Sequence, residues 1–311
     1  MNVKKITRRQ FLQGTSALAG AALVTGSRLG TLIAETKIPT AADVVPLGRT
    51  GLIISRVGIG TGSSNGNIQR GLGRDGFNKL VHYAYDRGIR YIDTAENYRT
   101  HDWVRDAIKG LPREKLFIQT KMWKDYEDPL RAIDRYRQEI GVDYIDSLLI
   151  HCRIEPNWDE KHQRLMDRFS EAKEKKIILS HGVSCHSMPA LVKASHMDWV
   201  DVNLVRVNPQ GAHIDTPAIE VSAPSNPSHL PSVLEEMKVM RQKGHGIIGM
   251  KIIGDGDFTN PADREKSIRY AMQPGLVDAI VIGFKSEAEI DEAITRIDNA
   301  LKHYATAASS K

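Results

Sequence analysis

"RYIDTAENYRTHDWVRDAIKG", residues 90–110, is the stretch on which the fold turns. Tyr91-Ile92 reads as the end of a short apolar strand that runs into Asp93. A polar stretch holding Glu96 and Tyr98 follows. Apolar residues then return at helical spacing in "WVRDAIKG". Strand, loop and helix make one βα unit, and the same unit recurs. "RVGIGTGS" precedes "FNKLVHYAYDRG", "KLFIQTKM" precedes "DPLRAIDRYRQEIG", and "DSLLIHC" precedes "RLMDRFSEAKEKK". "HGVSCHS", "VDVNLVRVN", "GIIGMKIIG" and "AIVIGFK" each lead into a further helical segment. Several helices stop at glycine, as at Gly88, Gly141 and Gly244. Eight such pairs with continuously apolar strands imply a buried parallel sheet. Their number and a span of about 265 residues favour a closed (β/α)8 TIM barrel, an α/β fold, over an open doubly wound sheet. The first βα turn also lacks the G-x-G-x-x-G that opens a dinucleotide-binding sheet. Ahead of it, "VPLGRTGLIIS" places Arg49-Thr50-Gly51 between apolar runs, which predicts a hairpin across the barrel's bottom.

The chain has 311 residues, 41% of them hydrophobic, enough for one large core. No repeat or low-complexity linker divides residues 45–305, so they are expected to form one domain. Residues 1–34 stand apart. They carry Lys4, Lys5, Arg8, Arg9 and Arg28 and no acid, and "TRRQFLQG" leads into the small, weakly apolar "TSALAGAALVTG". The run is too short and too weakly apolar to span a bilayer comfortably. Arg8-Arg9 with Phe11-Leu12 behind it reads as a twin-arginine signal. That predicts engagement with the twin-arginine export machinery, export in the folded state, a periplasmic or other extracytoplasmic location, and no membrane span in the mature chain. The whole chain carries a formal charge of +5, from 43 basic and 38 acidic residues, so without those five cations it is neutral. The basic balance belongs to the leader, and the remainder offers no argument for nucleic acid or a membrane surface.

Active sites of such barrels form where the strands end. The second strand ends in Asp93, with Tyr98 in the loop behind it; the third ends in Lys121; the fourth ends in His151. Singly, each has a plain structural explanation: a hydrogen-bonded core histidine, an exposed lysine, an ion pair between neighbouring strands. Together they make a proton-transfer site. A phenol with its ordinary pKa of about 10 is a weak acid at neutral pH, and a nearby ammonium lowers it. Lys121 is expected to do this with Asp93 holding it in place, while His151 orients a substrate oxygen.

At this point the sequence resembles the aldo-keto reductase superfamily. The resemblance rests on "LGRTGLIISRVGIGTG", "GIRYIDTAENY", "IQTK", "DYIDSLLIH", "GVS" and "IGFKS", in that order and spacing over residues 45–305. It implies hydride transfer between a nicotinamide cofactor and a small carbonyl or alcohol substrate, with Asp93, Tyr98 as proton donor, Lys121 and His151 as the catalytic set, and no metal. It also implies Gly60, Ser184, Lys251, Gly283, Lys285 and Ser286 as cofactor contacts, and NADP(H) rather than NAD(H). The chain departs from the pattern in several places. Cys185 stands for the usual asparagine and Leu204 for glutamine, and "GMKIIGDG" replaces the segment with the stacking tyrosine. Glu289 stands for the later arginine or glutamine, and Ala293 for the asparagine after Glu292. These departures motivate a second reading, an exported non-catalytic barrel acting as a binding or partner subunit.

Two further features stand out. "PQGAHIDTPAIEVSAPSNPSH" (209–229) holds four prolines and no periodicity, which predicts a lid or substrate-binding loop behind the sixth strand. His151-Cys152 and Cys185-His186 end neighbouring strands. Separate packed thiols are the first expectation for this pair; a disulfide and a soft-metal site are the alternatives.

Overall fold

The computed structural model describes residues 38–309. The expected signal segment, Arg8-Arg9 included, lies outside the described residues. Strands β1 (Val44–Pro46) and β2 (Ile53–Ser55) form the antiparallel hairpin. Eight parallel strands then close a barrel: β3 (Val57–Gly60), β4 (Tyr91–Asp93), β5 (Phe117–Met122), β6 (Ser147–Arg153), β7 (His181–Cys185), β8 (Val202–Arg206), β9 (Gly246–Met250) and β10 (Ala279–Ile282), which returns to β3. Each strand is followed by helix on the outside, the last being the long helix Glu287–Ser309. The TIM barrel and its hairpin are as the sequence predicts.

Side-chain alternation along the strands divides the core in two. Ile59, Ile92, Ile118, Leu148, Ile150, Val183, Val205, Ile247 and Ile280 face the helices. Tyr91, Phe117, Leu149, Val202, Leu204, Ile248, Ala279 and Val281 fill the barrel's interior. Leu47 and Ile54 of the hairpin join that inner cluster, and Arg49 N–H donates to Gly244 O at 2.8 Å, so the hairpin plugs the strands' N-terminal end. The inner parity has a direct consequence for the opposite end. Counting forward by two from Tyr91, Phe117 and Leu149 gives Asp93, Lys121 and His151; counting likewise elsewhere gives Ser184, Arg206, Met250 and Gly283. The layers that are apolar at the bottom turn polar at the top.

The 209–229 segment is held by built contacts. Arg206, at the end of β8, donates to Asp215 Oδ1 from Nε at 2.9 Å and from Nη2 at 2.6 Å, with Asp215 fully buried. Arg206 Nη1 also donates to Val221 O at 3.0 Å, and Met188 N–H to Thr216 O at 2.8 Å. Burial pushes the Asp215 carboxyl up to about 6 against the pull of Arg206.

Candidate active site

Asp93 and Lys121 meet inside the barrel mouth, at 4% and 1% exposure. Lys121 Nζ donates to the Asp93 carboxylate at 2.7 Å and to Thr94 O at 2.9 Å. Gln119, one inward position below Lys121, donates to Asp93 Oδ1 at 2.8 Å and to Tyr91 Oη at 2.9 Å. Asp93 therefore has its second anchor from the same strand that supplies the ammonium. Burial lowers the Lys121 pKa while Asp93 works in the opposite direction.

Tyr98 closes the 3-10 turn Glu96–Tyr98 and lies over this pair, with Lys121 Nζ 4.9 Å from its ring centroid. Its position depends on Gly62, because a Cβ there would fall 2.5 Å from the phenol ring. Tyr98 Oη is 3.4 Å from His151 Nε2, and the two rings meet edge to face at 5.5 Å. Trp123 also meets the His151 ring edge to face, at 5.5 Å.

The electrostatics differ from the sequence expectation in one respect. Tyr98 is held well above the ordinary tyrosine range, first by burial and then by the charge of Asp93. Lys121 was expected to pull it down. The physical reason is the 2.7 Å contact: the ammonium and the carboxylate form a nearly neutral pair as seen from the phenol. Tyr98 is thus kept protonated. His151 is held well below its ordinary range by burial, with Lys121 and Arg153 adding to the effect, so its imidazole is neutral.

A cavity of about 610 Å³ runs from this cluster to the start of the helix Glu287–Ser309. Its wall includes Gly60, Asp93, Tyr98, Lys251, Gly283, Lys285, Glu289 and Glu292. Gly283 allows a close approach of strand end and loop, since a Cβ there would lie 1.9 Å from Ser63 Oγ. Lys251 adopts φ of 61° and pairs with Asp255 at 2.9 Å. Ser184 is buried on β7 with its Oγ lacking a hydrogen-bond partner. Ser286 Oγ accepts from Glu289 N–H at 3.3 Å, a helix cap. Glu289 accepts from Lys285 N–H at 2.7 Å and stands 3.7 Å from Lys285 Nζ. Of the residues read from the sequence, Gly60, Asp93, Tyr98, Lys251, Gly283 and Lys285 line the cavity; Lys121 and His151 are outside its lining and contact Asp93 and Tyr98 respectively. Ser184 and Ser286 lie outside its lining.

This strand-end cluster beside a cavity, on a (β/α)8 frame, is matched at the level of sequence. The model for the aldo/keto reductase family matches residues 56–273. The chain belongs to the aldo/keto reductase family. Methylglyoxal reductase DkgA of Yersinia pestis is 27% identical over 70% of this chain and 82% of its own length. Glycerol 2-dehydrogenase (NADP(+)) of Saccharomyces cerevisiae is 39% identical over 34% of this chain and 33% of its own. The chain spans about a third to a half of the length of the curated relatives it matches first. Among solved structures, an aldo-keto reductase from Bacillus halodurans superposes with a TM-score of 0.62 at 16% identity, over 84% of this chain and 95% of that one, a likeness of fold.

Sequence reading missed four contributors. Glu96, two residues before Tyr98, accepts hydrogen bonds from Trp123 N at 2.6 Å, Lys124 N at 2.8 Å, Tyr126 Oη at 2.6 Å and Tyr136 Oη. It ties the Tyr98 turn to the loop that carries Trp123. Gln119 was hidden among the inward residues of β5, although its parity with Lys121 was available as a signal. Asp255 and Arg264 were also missed. Arg264 donates to Glu292 at 2.7 Å and turns that carboxylate away from a free negative role. Cys152 and Cys185 are buried free thiols. Cys185 is in register with Arg153, and burial pushes the Cys152 thiol up to about 11. Among the described residues, no helix is long and apolar enough to cross a membrane.

Proposed function

We propose that the protein reduces the carbonyl group of a small molecule, or oxidises the matching alcohol, with Tyr98 as general acid and base and NADP(H) as the hydride carrier. The observation that supports this most is the 3.4 Å pairing of Tyr98 Oη with His151 Nε2, with Tyr98 in the cavity wall. A carbonyl oxygen placed against both groups meets a protonated phenol and a neutral imidazole able to donate from Nε2. As the oxygen gains negative charge, Tyr98 gives up its proton. The phenol ring lies over the Lys121–Asp93 pair, which Gln119 helps to hold in place.

The residues present fit a dinucleotide. The cavity wall includes Tyr98, Lys251, Gly283 and Lys285, and outside that lining Ser184 Oγ is a buried group without a hydrogen-bond partner. Gly60, Ser184 and Lys251 would hold the nicotinamide half, and Gly283, Lys285 and Ser286 the phosphates. When bound, the dinucleotide supplies or takes up the hydride. The Lys285 cation supports NADP(H), and Glu289 beside it opposes a further negative charge. Titration of the four tryptophans with NADPH and with NADH tests the cofactor reading. Saturable quenching by NADPH is expected, and its absence with both would refute the reading.

The twin-arginine-like leader supports export in the folded state to the periplasm with the dinucleotide already in place. Native mass spectrometry of exported protein is expected to find the bound nucleotide. Export through an unfolded-chain route would contradict this part.

A further inference from the structure

Four cations stand at the mouth of the barrel: Lys121 at the end of β5, Arg153 at the end of β6, Arg206 at the end of β8 and Lys251 just past β9. Three have a carboxylate in contact. Lys121 holds Asp93 at 2.7 Å, Arg206 holds Asp215 at 2.6 Å, and Lys251 holds Asp255 at 2.9 Å. Arg153 is the exception. The carboxylates whose charge bears on it, Glu155 and Asp125, pair elsewhere, with Lys161 at 3.4 Å and with Arg164 at 3.1 Å. Among the described residues its hydrogen bonds go to neutral acceptors: Nε donates to His151 O at 2.8 Å, and Nη1 to His162 Nε2 at 2.5 Å. Nη2 makes none among the described residues.

Arg153 is also placed with respect to the chemistry. Its guanidinium lies 5.9 Å from the Trp123 ring centroid, and Trp123 lies 5.5 Å from His151, which pairs with Tyr98. Tyr98, His151, Trp123 and Arg153 therefore follow one another outward from the reaction centre, with Trp123 41% exposed. Two anchors fix the fork: its Nε is bonded to the backbone of the strand that carries His151, and its Nη1 to a neighbouring imidazole. A half-buried cation without a counterion is expensive unless a ligand supplies the anion, and a guanidinium suits a carboxylate in particular.

We propose that the substrate is a carbonyl compound bearing a carboxylate, with its oxo group at Tyr98 and His151 and its carboxylate on Arg153. This rests on the carbonyl-reducing reading above. The carboxylate takes no part in the bond changes; its role is to bind and orient. The aromatic face of Trp123 would lie under the short spacer between the two groups.

The test uses ω-oxo acids of three to six carbons and their methyl esters, with the full enzyme and NADPH. At the length that fits, the acid is expected to exceed its ester in kcat/KM by about tenfold or more, mainly through KM, and the preference should shrink as salt rises. Arg153→Gln should bring the acid-to-ester ratio to about one, and Arg153→Lys should keep part of it. The ratio is internal to each variant, so general damage to the site cancels. A binding measurement needs no turnover: succinate should quench tryptophan fluorescence saturably in the wild type and not in Arg153→Gln. The proposal is overturned by the absence of acid preference at every length, by a ratio unchanged in Arg153→Gln, or by succinate binding equally to both proteins. If no acid or ester is reduced while succinate binds through Arg153, the carbonyl-reducing reading fails and the carboxylate site stands.

Discussion

Lys121 Nζ sits 2.7 Å from the Asp93 carboxylate, with 1% and 4% of the two residues exposed. A buried pair of this kind is costly to break from one side. Asp93→Asn or Lys121→Met alone is expected to lower stability by about 3–5 kcal/mol, because each leaves a buried charge without its partner. The double variant should recover much of that loss, though not the activity. Urea unfolding of the four proteins gives the coupling energy directly. Additive losses would mean that the pair carries no coupling.

The protonation states make a prediction about pH. Burial and Asp93 hold Tyr98 well above its ordinary range, so it stays a phenol at pH 6–9; burial and two cations keep His151 neutral over the same interval. Reduction needs the phenol as donor, and kcat/KM in that direction should be flat from pH 6 to 9. Oxidation needs the deprotonated form as acceptor, and its rate should climb with pH through the same interval. A loss of reductive activity near pH 6.5 or near pH 8 would contradict the assignment of these states.

Glu96 gathers four donors that belong to the Trp123 loop and to the helix Pro129–Ile140. Glu96→Gln keeps the shape and replaces one oxygen by a donor facing donors. The expected result is a looser Trp123 loop, seen as a shifted tryptophan emission, and a KM raised about five- to tenfold with a smaller change in kcat. Unchanged emission and KM would show that the clamp has no bearing on the substrate side.

Glu289 lies against Lys285, where NADP(H) would place its extra phosphate. Glu289→Gln removes a like charge from that position and should tighten NADPH by about three- to tenfold, while NADH changes little. Fluorescence titration checks the difference. Equal effects on the two nucleotides would remove Glu289 from the cofactor's phosphate end.

Much of this site is legible in the chain because the barrel converts strand-end positions into neighbours. Asp93, Lys121 and His151 each close an apolar run, and the period of two along a strand sends all three inward. The hairpin was readable from its turn residues, and the long 209–229 insertion from its prolines. What could not be read depends on contacts between residues far apart in sequence. The Arg206–Asp215 pair ties that insertion to the end of β8. The clamp by Glu96 looks, in the sequence, like one more acid in a polar loop. The direction in which Lys121 acts on Tyr98 depends on how closely Asp93 neutralises it, and only the 2.7 Å distance decides that.

In the proposed reaction Tyr98 exchanges the proton while a nicotinamide dinucleotide carries the hydride. The most direct measurement is single-turnover oxidation of NADPH, with saturating carbonyl substrate, by the wild type and by Tyr98→Phe, alongside NADPH binding to both. Binding is expected to stay within about threefold, and the rate to fall by about 10²–10⁴ in the variant. A Tyr98→Phe enzyme that binds NADPH and still oxidises it at the wild-type rate would contradict the account.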